Sequence, residues 1–178
     1  MKNHTNLPHI SESGLYQFVT FRTKDSTDEY ILKLASQQNI KTKQLQYQID
    51  KYLDNSKKGA YLNADILKLT KEYLLNLDKN MCEIVAFSIM PNHIHLILIQ
   101  HNSLPKIMQK IKGSLGFMIN KKLNKSGNFW QKDYFDKAIR DDEHFKVVLE
   151  YIKNNAYKAE LIDADDRFVY VYNDNRCD

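Results

Sequence analysis

Residues 82–100 read CEIVAFSIMPNHIHLILIQ. Two apolar segments rich in β-branched residues, Cys82–Ile89 and His93–Gln100, flank the short link Met90-Pro91-Asn92. Such segments are typical of buried strands, and a Pro-Asn pair in a short link favours a tight turn. The stretch therefore predicts an antiparallel hairpin.

Three more segments outside this hairpin have strand character. Leu15–Arg22 (LYQFVTFR) mixes aromatic and β-branched residues on both of its faces, which favours a strand in the middle of a sheet. Tyr134–Ile139 predicts a fourth strand. The segment Arg167–Tyr172 (RFVYVY) is either an edge strand or an interaction arm.

Apolar residues at helical spacing predict helices between these strands. One begins with a cap at Asn63 or Asp65 and runs to Leu77, and a second follows Ser103 as far as Leu123. A third starts at Asp141 or Asp142 and continues to about residue 158. The polar stretch 25–58 is expected to form one or two surface helices as a helical insertion.

The order of these elements indicates the fold class. Helices alternate with strands around a central hairpin, which predicts an α+β fold in which an antiparallel sheet of four to five strands carries helices mainly on one face. We expect a single domain over residues 1–178, with a short C-terminal tail at 163–178.

Composition limits the class of protein. The chain is 43% hydrophobic and 27% charged, and it contains no run of about 18 apolar residues, which argues against a disordered chain and a membrane protein. The start of the sequence lacks the layout of a secretory signal, and Cys82 and Cys177 are too few for a disulfide scaffold. We therefore expect a cytoplasmic protein. Its net charge of +4 permits a polyanionic partner.

His93 and His95 form the sharpest local motif. Residues two apart in a strand point to the same side, with Cα atoms ~6–7 Å apart, so both imidazoles are able to converge on one divalent cation. Histidines in a strand are also often surface residues or hydrogen-bonded core residues, and the motif by itself leaves both interpretations open.

Tyr151 and Asn155 form a second pair. Four residues apart on the third predicted helix, they share one helix face. A tyrosine can act as a nucleophile and an amide oxygen can bind a hard cation. The alternative is structural, with Tyr151 packed in the core and Asn155 capping a helix end.

Several blocks of the sequence resemble one family. Residues 90–96, MPNHIHL, look like the motif of HUH single-tyrosine transposases, in which two histidines flank a bulky hydrophobic residue. Further blocks are similar to the same family in the same order, and they include Gly59–Leu77, Ile107–Asn120, Phe129–Arg140 and Tyr151–Leu161. The resemblance covers roughly residues 15–24 and 60–162, with most of 24–58 outside it, and is nearest to the REP-associated tyrosine transposases.

The resemblance implies a ferredoxin-like or RRM-like HUH nuclease fold and a site. His93, His95 and Asn155 would bind Mg²⁺ or Mn²⁺, and Tyr151 would attack single-stranded or hairpin DNA to give a 5′-phosphotyrosine and a free 3′-hydroxyl. The implied function is that of a transposase, as a monomer or a homodimer. Two other hypotheses stay open: a domesticated hairpin-binding protein without cleavage activity, and a metal-dependent hydrolase that uses His93 and His95 to activate water.

The same resemblance suggests where DNA would bind. A protein that binds such DNA needs cationic side chains for the phosphates and flat aromatic rings for the bases. We expect contacts from Lys106, Lys110, Lys112, Trp130 and Arg140, although a solvated lysine face and a core tryptophan are equally good interpretations. Tyr134 is assigned to packing or DNA contact. Asn155-Ala156 stands where relatives commonly have Asn-Pro, so the helix need not end there.

Overall fold

A computed structural model describes residues 15–36 and 42–171. Its five strands form one open sheet in the order β4-β1-β3-β2-β5, with every neighbouring pair antiparallel. The strands are β1 (Tyr16–Arg22), β2 (Cys82–Ile89), β3 (His93–Gln100), β4 (Phe135–Ile139) and β5 (Phe168–Tyr170). The predicted α+β class, the hairpin and the interior position of the first strand are confirmed.

Seven α-helices lie within the described residues. They are α1 (Glu29–Ala35), α2 (Thr42–Asn55), α3 (Ala64–Leu75), α4 (Leu104–Leu123), α5 (Asp142–Lys153), α6 (Asn155–Lys158) and α7 (Ala164–Arg167). Asn63 and Ser103 occupy the predicted cap positions without a side-chain cap hydrogen bond, whereas the Asp141 carboxylate accepts from the backbone N–H of His144. Both long central helices therefore begin where the sequence indicated.

The third predicted helix is interrupted. It was expected to continue to about residue 158, but α5 ends at Lys153 and the separate turn α6 begins at Asn155. The Asn154 side chain donates to the Glu150 backbone oxygen at 2.9 Å, and such a local bond competes with continuation of the helix. Tyr151 and Asn155 consequently belong to two different helices.

One face of the sheet is mainly apolar. Ile94, Leu96 and Leu98 of β3 pack with Val19 and Phe21 of β1 in the largest buried cluster. Side chains of α3 and α4 complete that cluster, which makes this face the main hydrophobic core of the molecule.

Helices also cover the other face, where the sequence had indicated fewer of them. Phe18, Ile97 and Ile139 pack there against Val148 and Ile152 of α5. With a helical layer on each side, all eight residues of β3 are buried. The central strand therefore holds its histidines in the interior.

The segment 25–58 is helical in its described part and is tied to the sheet. Its α1 and α2 form a small cluster of their own. The Asn92 amide, in the turn of the hairpin, donates to the backbone oxygens of Leu53, Ser56 and Lys58 at 3.0, 3.1 and 3.3 Å. These bonds fix the C-terminal end of α2 beside the start of β3.

The C-terminal segment adds an edge to the sheet. β5 pairs with β2, so the expectation of an edge strand is confirmed over Phe168–Tyr170. Arg167, just before it, is buried and donates to the backbone oxygens of Leu62 and Ile89. Cys177 and the end of the predicted tail lie outside the described residues. No helix in the described ranges has the length and apolar character needed to cross a membrane.

Candidate active site

Two fully buried imidazoles form the centre of the candidate site. Alternation along β3 directs His93 and His95 to the face covered by α5, and both side chains have no exposed surface. Their Nε2 atoms lie 3.0 Å apart, and the rings are almost perpendicular at 86°. The edges of the two rings that carry Nε2 thus meet in the interior of the protein.

Asn92 determines which nitrogen of His93 carries a proton. Since the Asn92 amide nitrogen donates to three backbone carbonyls, its Oδ1 is left facing His93 Nδ1 at 2.8 Å. An amide oxygen only accepts, so Nδ1 of His93 must donate. In the neutral ring Nε2 then presents a lone pair toward His95.

Burial keeps both rings neutral. It lowers the pKa of His95 to about 3 and that of His93 well below its ordinary value, with the neighbouring ring adding to the effect for His93. Thr20 holds the other side of His95 through a 2.8 Å contact between its hydroxyl and Nδ1. Neutral imidazoles are the form that binds metal ions.

The α2 helix brings two carboxyl groups to the same region. Asp54 Oδ1 lies 3.6 Å from His93 Nε2 and has no hydrogen-bond partner among the described residues. Burial, with a contribution from the charge of Asp50, raises the pKa of Asp54 to about 7. This carboxyl is largely buried beside the Nε2 lone pair of His93, and Lys158 is the cation that acts on it.

Tyr151 lies against the histidine pair. Its ring centroid is 5.5 Å from that of His95 and 6.2 Å from that of Phe18. The phenol donates to Asp50 Oδ2 at 2.8 Å. Burial raises the pKa of Tyr151, and the negative charges of Asp50 and Asp54 raise it further. The phenol therefore stays protonated unless a group accepts its proton.

Asn155 reaches the pair from α6. The residue is 2% exposed, and its amide nitrogen lies 2.8 Å from His95 Nε2. Asn154, not Asn155, takes the cap position of α6. The two ends of an amide have nearly the same shape, so a half-turn of the side chain brings its oxygen to this position.

These donors fit one divalent cation. Adjacent ligands ~2.1 Å from an octahedral ion stand about 3.0 Å apart, which is the separation of the two Nε2 atoms. Within residues 15–36 and 42–171 no three His, Cys, Asp or Glu side chains form a metal site by themselves. The amide of Asn155 would be a third donor beside the two imidazoles, and the unpaired oxygen of Asp54 lies next to this set.

A cleft lies beside Tyr151. Its volume is about 190 Å³, and its walls include Phe18, Tyr47, Lys137 and His144. Asp50 and Tyr151 also line it. The cleft therefore combines aromatic rings, a lysine and the phenol of Tyr151.

The five residues expected to contact DNA are dispersed. Lys106 and Lys110 are exposed on α4, on the sheet face opposite the histidines, and Arg140 is exposed between β4 and α5. Lys112 is engaged elsewhere, since its ammonium donates to the backbone oxygens of residues 131 and 132, and burial lowers its pKa to about 8. Trp130 is a core residue.

The position of Trp130 explains why it cannot stack on a base as it lies. The ring is 6% exposed and packs edge-on against Phe21 and Phe129, each with centroids 4.8 Å apart. A Cβ on Gly116 would come within 3.3 Å of the indole, which shows how closely α4 approaches it. Tyr134 packs against the same cluster, on the side away from the histidines.

Sequence reasoning missed the contribution of α2. Gln46, Asp50 and Asp54 recur every four residues, beside an apolar stripe of Leu45, Ile49 and Leu53. Such spacing places the three polar groups on one helix face. This pattern was available as a signal, but the segment was interpreted as a surface insertion.

Comparison with known families gives one match. The family model described as "Transposase IS200 like" matches residues 42–155, a range that includes α2, the histidine pair and Tyr151. The expectation that most of residues 24–58 lies outside the family is therefore wrong for α2. A search of the curated proteins finds no match.

A transposase of known structure shares the fold, and two further structures are similar at lower scores. A REP-associated tyrosine transposase bound to a REP hairpin aligns over 89% of this chain and 76% of its own, with 14% identity and a TM-score of 0.53. A putative transposase from Deinococcus radiodurans covers 87% and 98% of the two chains at 16% identity and a TM-score of 0.47. A bacterial tRNA(His) guanylyltransferase-like protein in complex with GTP covers 94% and 81% at 13% identity and a TM-score of 0.45.

Proposed function

The chain belongs to the family of IS200-like transposases, and we propose that it cleaves and rejoins single-stranded DNA with Tyr151 as the nucleophile. One observation supports this more than any other. The phenol ring of Tyr151 lies 5.5 Å from His95, whose Nε2 faces that of His93 at 3.0 Å. A nucleophile and a pair of metal-binding nitrogens thus share one buried region.

The residues that would bind Mg²⁺ or Mn²⁺ are His93, His95 and Asn155. When bound, the ion would polarise a phosphoryl oxygen and stabilise the charge that develops on it. Asn92 and Thr20 hold the two rings from behind, each through an Nδ1 contact of 2.8 Å. Such supporting contacts fix the orientation of metal-binding histidines.

The reaction proposed for Tyr151 conserves the energy of the phosphodiester. The phenol oxygen bonds to phosphorus while the bond from phosphorus to the 3′-oxygen breaks, which leaves a 5′-phosphotyrosine and, after protonation, a 3′-hydroxyl. A 3′-hydroxyl of another strand can reverse this step. Joining then needs no nucleotide cofactor.

The proposed substrate is single-stranded or hairpin DNA. The similar transposase of known structure is bound to a REP hairpin, and this chain has a net charge of +4. Lys106, Lys110 and Arg140 are exposed and remain the proposed phosphate contacts. Lys112 and Trp130 would contribute only after leaving the contacts described above.

The cellular location and the oligomeric state are also part of the proposal. Two cysteines far apart in the sequence agree with a cytoplasmic protein. Tyr151 contacts the histidine of its own chain, which supports a site made within one subunit, as either a monomer or a homodimer would have. No membrane partner is proposed.

A labelled-DNA assay tests the nucleophile. The protein is incubated with Mn²⁺ and a pool of single-stranded oligonucleotides that carry a hairpin, a random segment and a 3′ fluorescent label. A 5′-phosphotyrosine retains the labelled 3′ part, so a fluorescent protein band is expected under denaturing conditions. Tyr151→Phe should abolish that band.

Tyr157→Phe is the matched control. Tyr157 is 52% exposed on the neighbouring helix α6, and its phenol donates to Asp165, away from the histidines. The control should form the adduct as well as the unsubstituted chain. An adduct that survives Tyr151→Phe would contradict the assignment, and hairpin binding without any adduct would favour a binding protein that does not cleave.

A further inference from the structure

A buried carboxyl group beside Tyr151 has no role in the steps above. Asp50 of α2 is 2% exposed, and each of its oxygens is held by one neighbour. Oδ2 accepts the Tyr151 phenol at 2.8 Å, and Oδ1 accepts the Gln46 amide at 2.6 Å. A fixed acceptor therefore points at the oxygen that would attack DNA.

The charges around Asp50 come from three elements. Arg22 of β1 is the cation that acts on it, Asp54 lies one turn further along α2, and Tyr151 faces it from α5. Burial is the main influence and raises the pKa of Asp50 to about 7, while the bonds from Tyr151 and Gln46 act in the opposite direction. Near neutral pH the group can both accept and release a proton.

We propose that Asp50 is the general base that takes the phenol proton when Tyr151 attacks phosphorus. The inference rests on the proposed function, because it assigns a proton acceptor to that nucleophile. It also makes α2 part of the catalytic machinery, although its sequence reads as a surface helix.

The proposed step is balanced in atoms and charge. The proton moves from the phenol to Asp50 Oδ2 as the bond from oxygen to phosphorus forms and the bond to the 3′-oxygen breaks. The carboxyl then releases its proton to water, and the departing 3′-oxygen takes one from water. In the reverse direction the carboxyl first takes a proton from water. The 3′-hydroxyl then attacks phosphorus and gives its proton to water, while the bond from the tyrosine oxygen to phosphorus breaks and Asp50 protonates the departing phenolate.

This arrangement avoids creating a new buried charge. An isolated phenolate would be strongly disfavoured here, because burial and two nearby carboxylates act against it. Transfer to Asp50 moves the existing negative charge from the carboxylate to the phenol, so the net charge of the pair does not change. A purely structural contact would need no acceptor that titrates near neutrality.

The test compares adduct formation rates of Asp50→Asn and an unsubstituted chain. The assay is single-turnover, with Mn²⁺ and the 3′-labelled hairpin oligonucleotide pool. Asn keeps the size and an acceptor oxygen but is not a base, so the rate should fall ~100-fold or more. Asp65→Asn, an exposed change on α3, is the matched control and should leave the rate unchanged.

Fluorinated tyrosine separates a base from a structural contact. Difluorotyrosine placed at position 151 has a more acidic phenol and needs a base less. In the Asp50→Asn background it should restore at least part of the lost rate. Mn²⁺ affinity and oligonucleotide affinity, measured separately, should stay within about threefold of the unsubstituted values if folding and binding are intact.

Each outcome decides the matter. A rate that Asp50→Asn leaves unchanged overturns the inference, and so does a loss that the acidic phenol fails to rescue while both affinities are intact. A loss of rate together with a loss of either affinity also overturns it, since Asp50 would then act on structure. If the unsubstituted chain forms no adduct, the proposed function fails and this inference fails with it.

Discussion

The two faces of β3 are equally buried but chemically opposite. Leu96 has no exposed surface and packs among the apolar side chains under α3 and α4. Its neighbour His95, also with no exposed surface, meets His93, Thr20 and Asn155 on the other face. The first face contributes stability through burial of apolar area, whereas the second holds polar groups whose burial is unfavourable by itself. This difference supports the chemical role proposed for the second face.

The largest effect is expected on the apolar face. Leu96→Ala should lower the free energy of unfolding by about 2–5 kcal/mol, because it removes buried methyl groups from a closely packed cluster. Urea denaturation followed by circular dichroism measures it. A loss below about 1 kcal/mol would contradict the view that the apolar face contributes most of the stability from burial at β3.

The second-largest effect is the stabilisation by Mn²⁺, which should differ between a variant of the histidine face and a variant of the apolar face. At a Mn²⁺ concentration near 100 times the dissociation constant, the unsubstituted chain should gain about 2.7 kcal/mol of stability. His95→Ala should gain almost no stability, because it lacks a metal ligand. Leu96→Ala should gain as much as the unsubstituted chain, although its stability without Mn²⁺ is lower. Thermal unfolding with and without Mn²⁺ gives the comparison. Equal gains in all three proteins would place the ion elsewhere.

A smaller effect depends on pH and is measured in chelator. The pKa of Asp54 is about 7 in the folded chain, above its unfolded value of 3.8, so the folded state binds the proton more tightly. The stability that this proton provides is complete below pH ~4 and is lost as the pH rises toward ~7. Asp54→Asn has no such proton to lose.

The stability of Asp54→Asn relative to the unsubstituted chain should therefore increase from pH 4 to pH 7. The slope is expected to approach 1.4 kcal/mol per pH unit at most. Urea denaturation at several pH values measures this difference. A difference that stays constant with pH would show that the pKa of Asp54 is not raised in the folded chain.

The smallest effects concern the surface. Arg140→Ala and Lys110→Ala should each weaken binding of a hairpin oligonucleotide a few-fold and reduce the slope of log affinity against log salt by about 0.7–1. Binding measured by fluorescence anisotropy at several salt concentrations gives both slopes. If only Arg140→Ala changes the slope, DNA contacts only the face that carries the histidines.

Much of the fold was predictable because its signals are local. The hairpin in residues 82–100 and the helix after Ser103 follow from periodicity and turn residues within short windows. The histidine pair was predictable for the same reason, since alternation in a strand fixes a common side. The break at Asn154 was missed because apolar periodicity gives no sign of the bond from the Asn154 side chain to the Glu150 oxygen.

The rest of the site depends on contacts distant in sequence. Asp50 meets Tyr151 across 101 residues, and Asn155 meets His95 across 60. The spacing of Gln46, Asp50 and Asp54 indicates one polar helix face, but it does not show that this face packs over the histidines, and the segment was interpreted as a solvated surface. Trp130 was misjudged in the opposite sense, because its ring was expected to stack on bases but is buried in the core.

Anomalous diffraction from crystals grown with Mn²⁺ tests the central claim most directly. The account predicts one strong anomalous peak within bonding distance of Nε2 of both His93 and His95, with the Asn155 side chain turned so that its oxygen faces the ion. A bound ion elsewhere, with the two imidazoles still in direct contact with each other, would contradict the account.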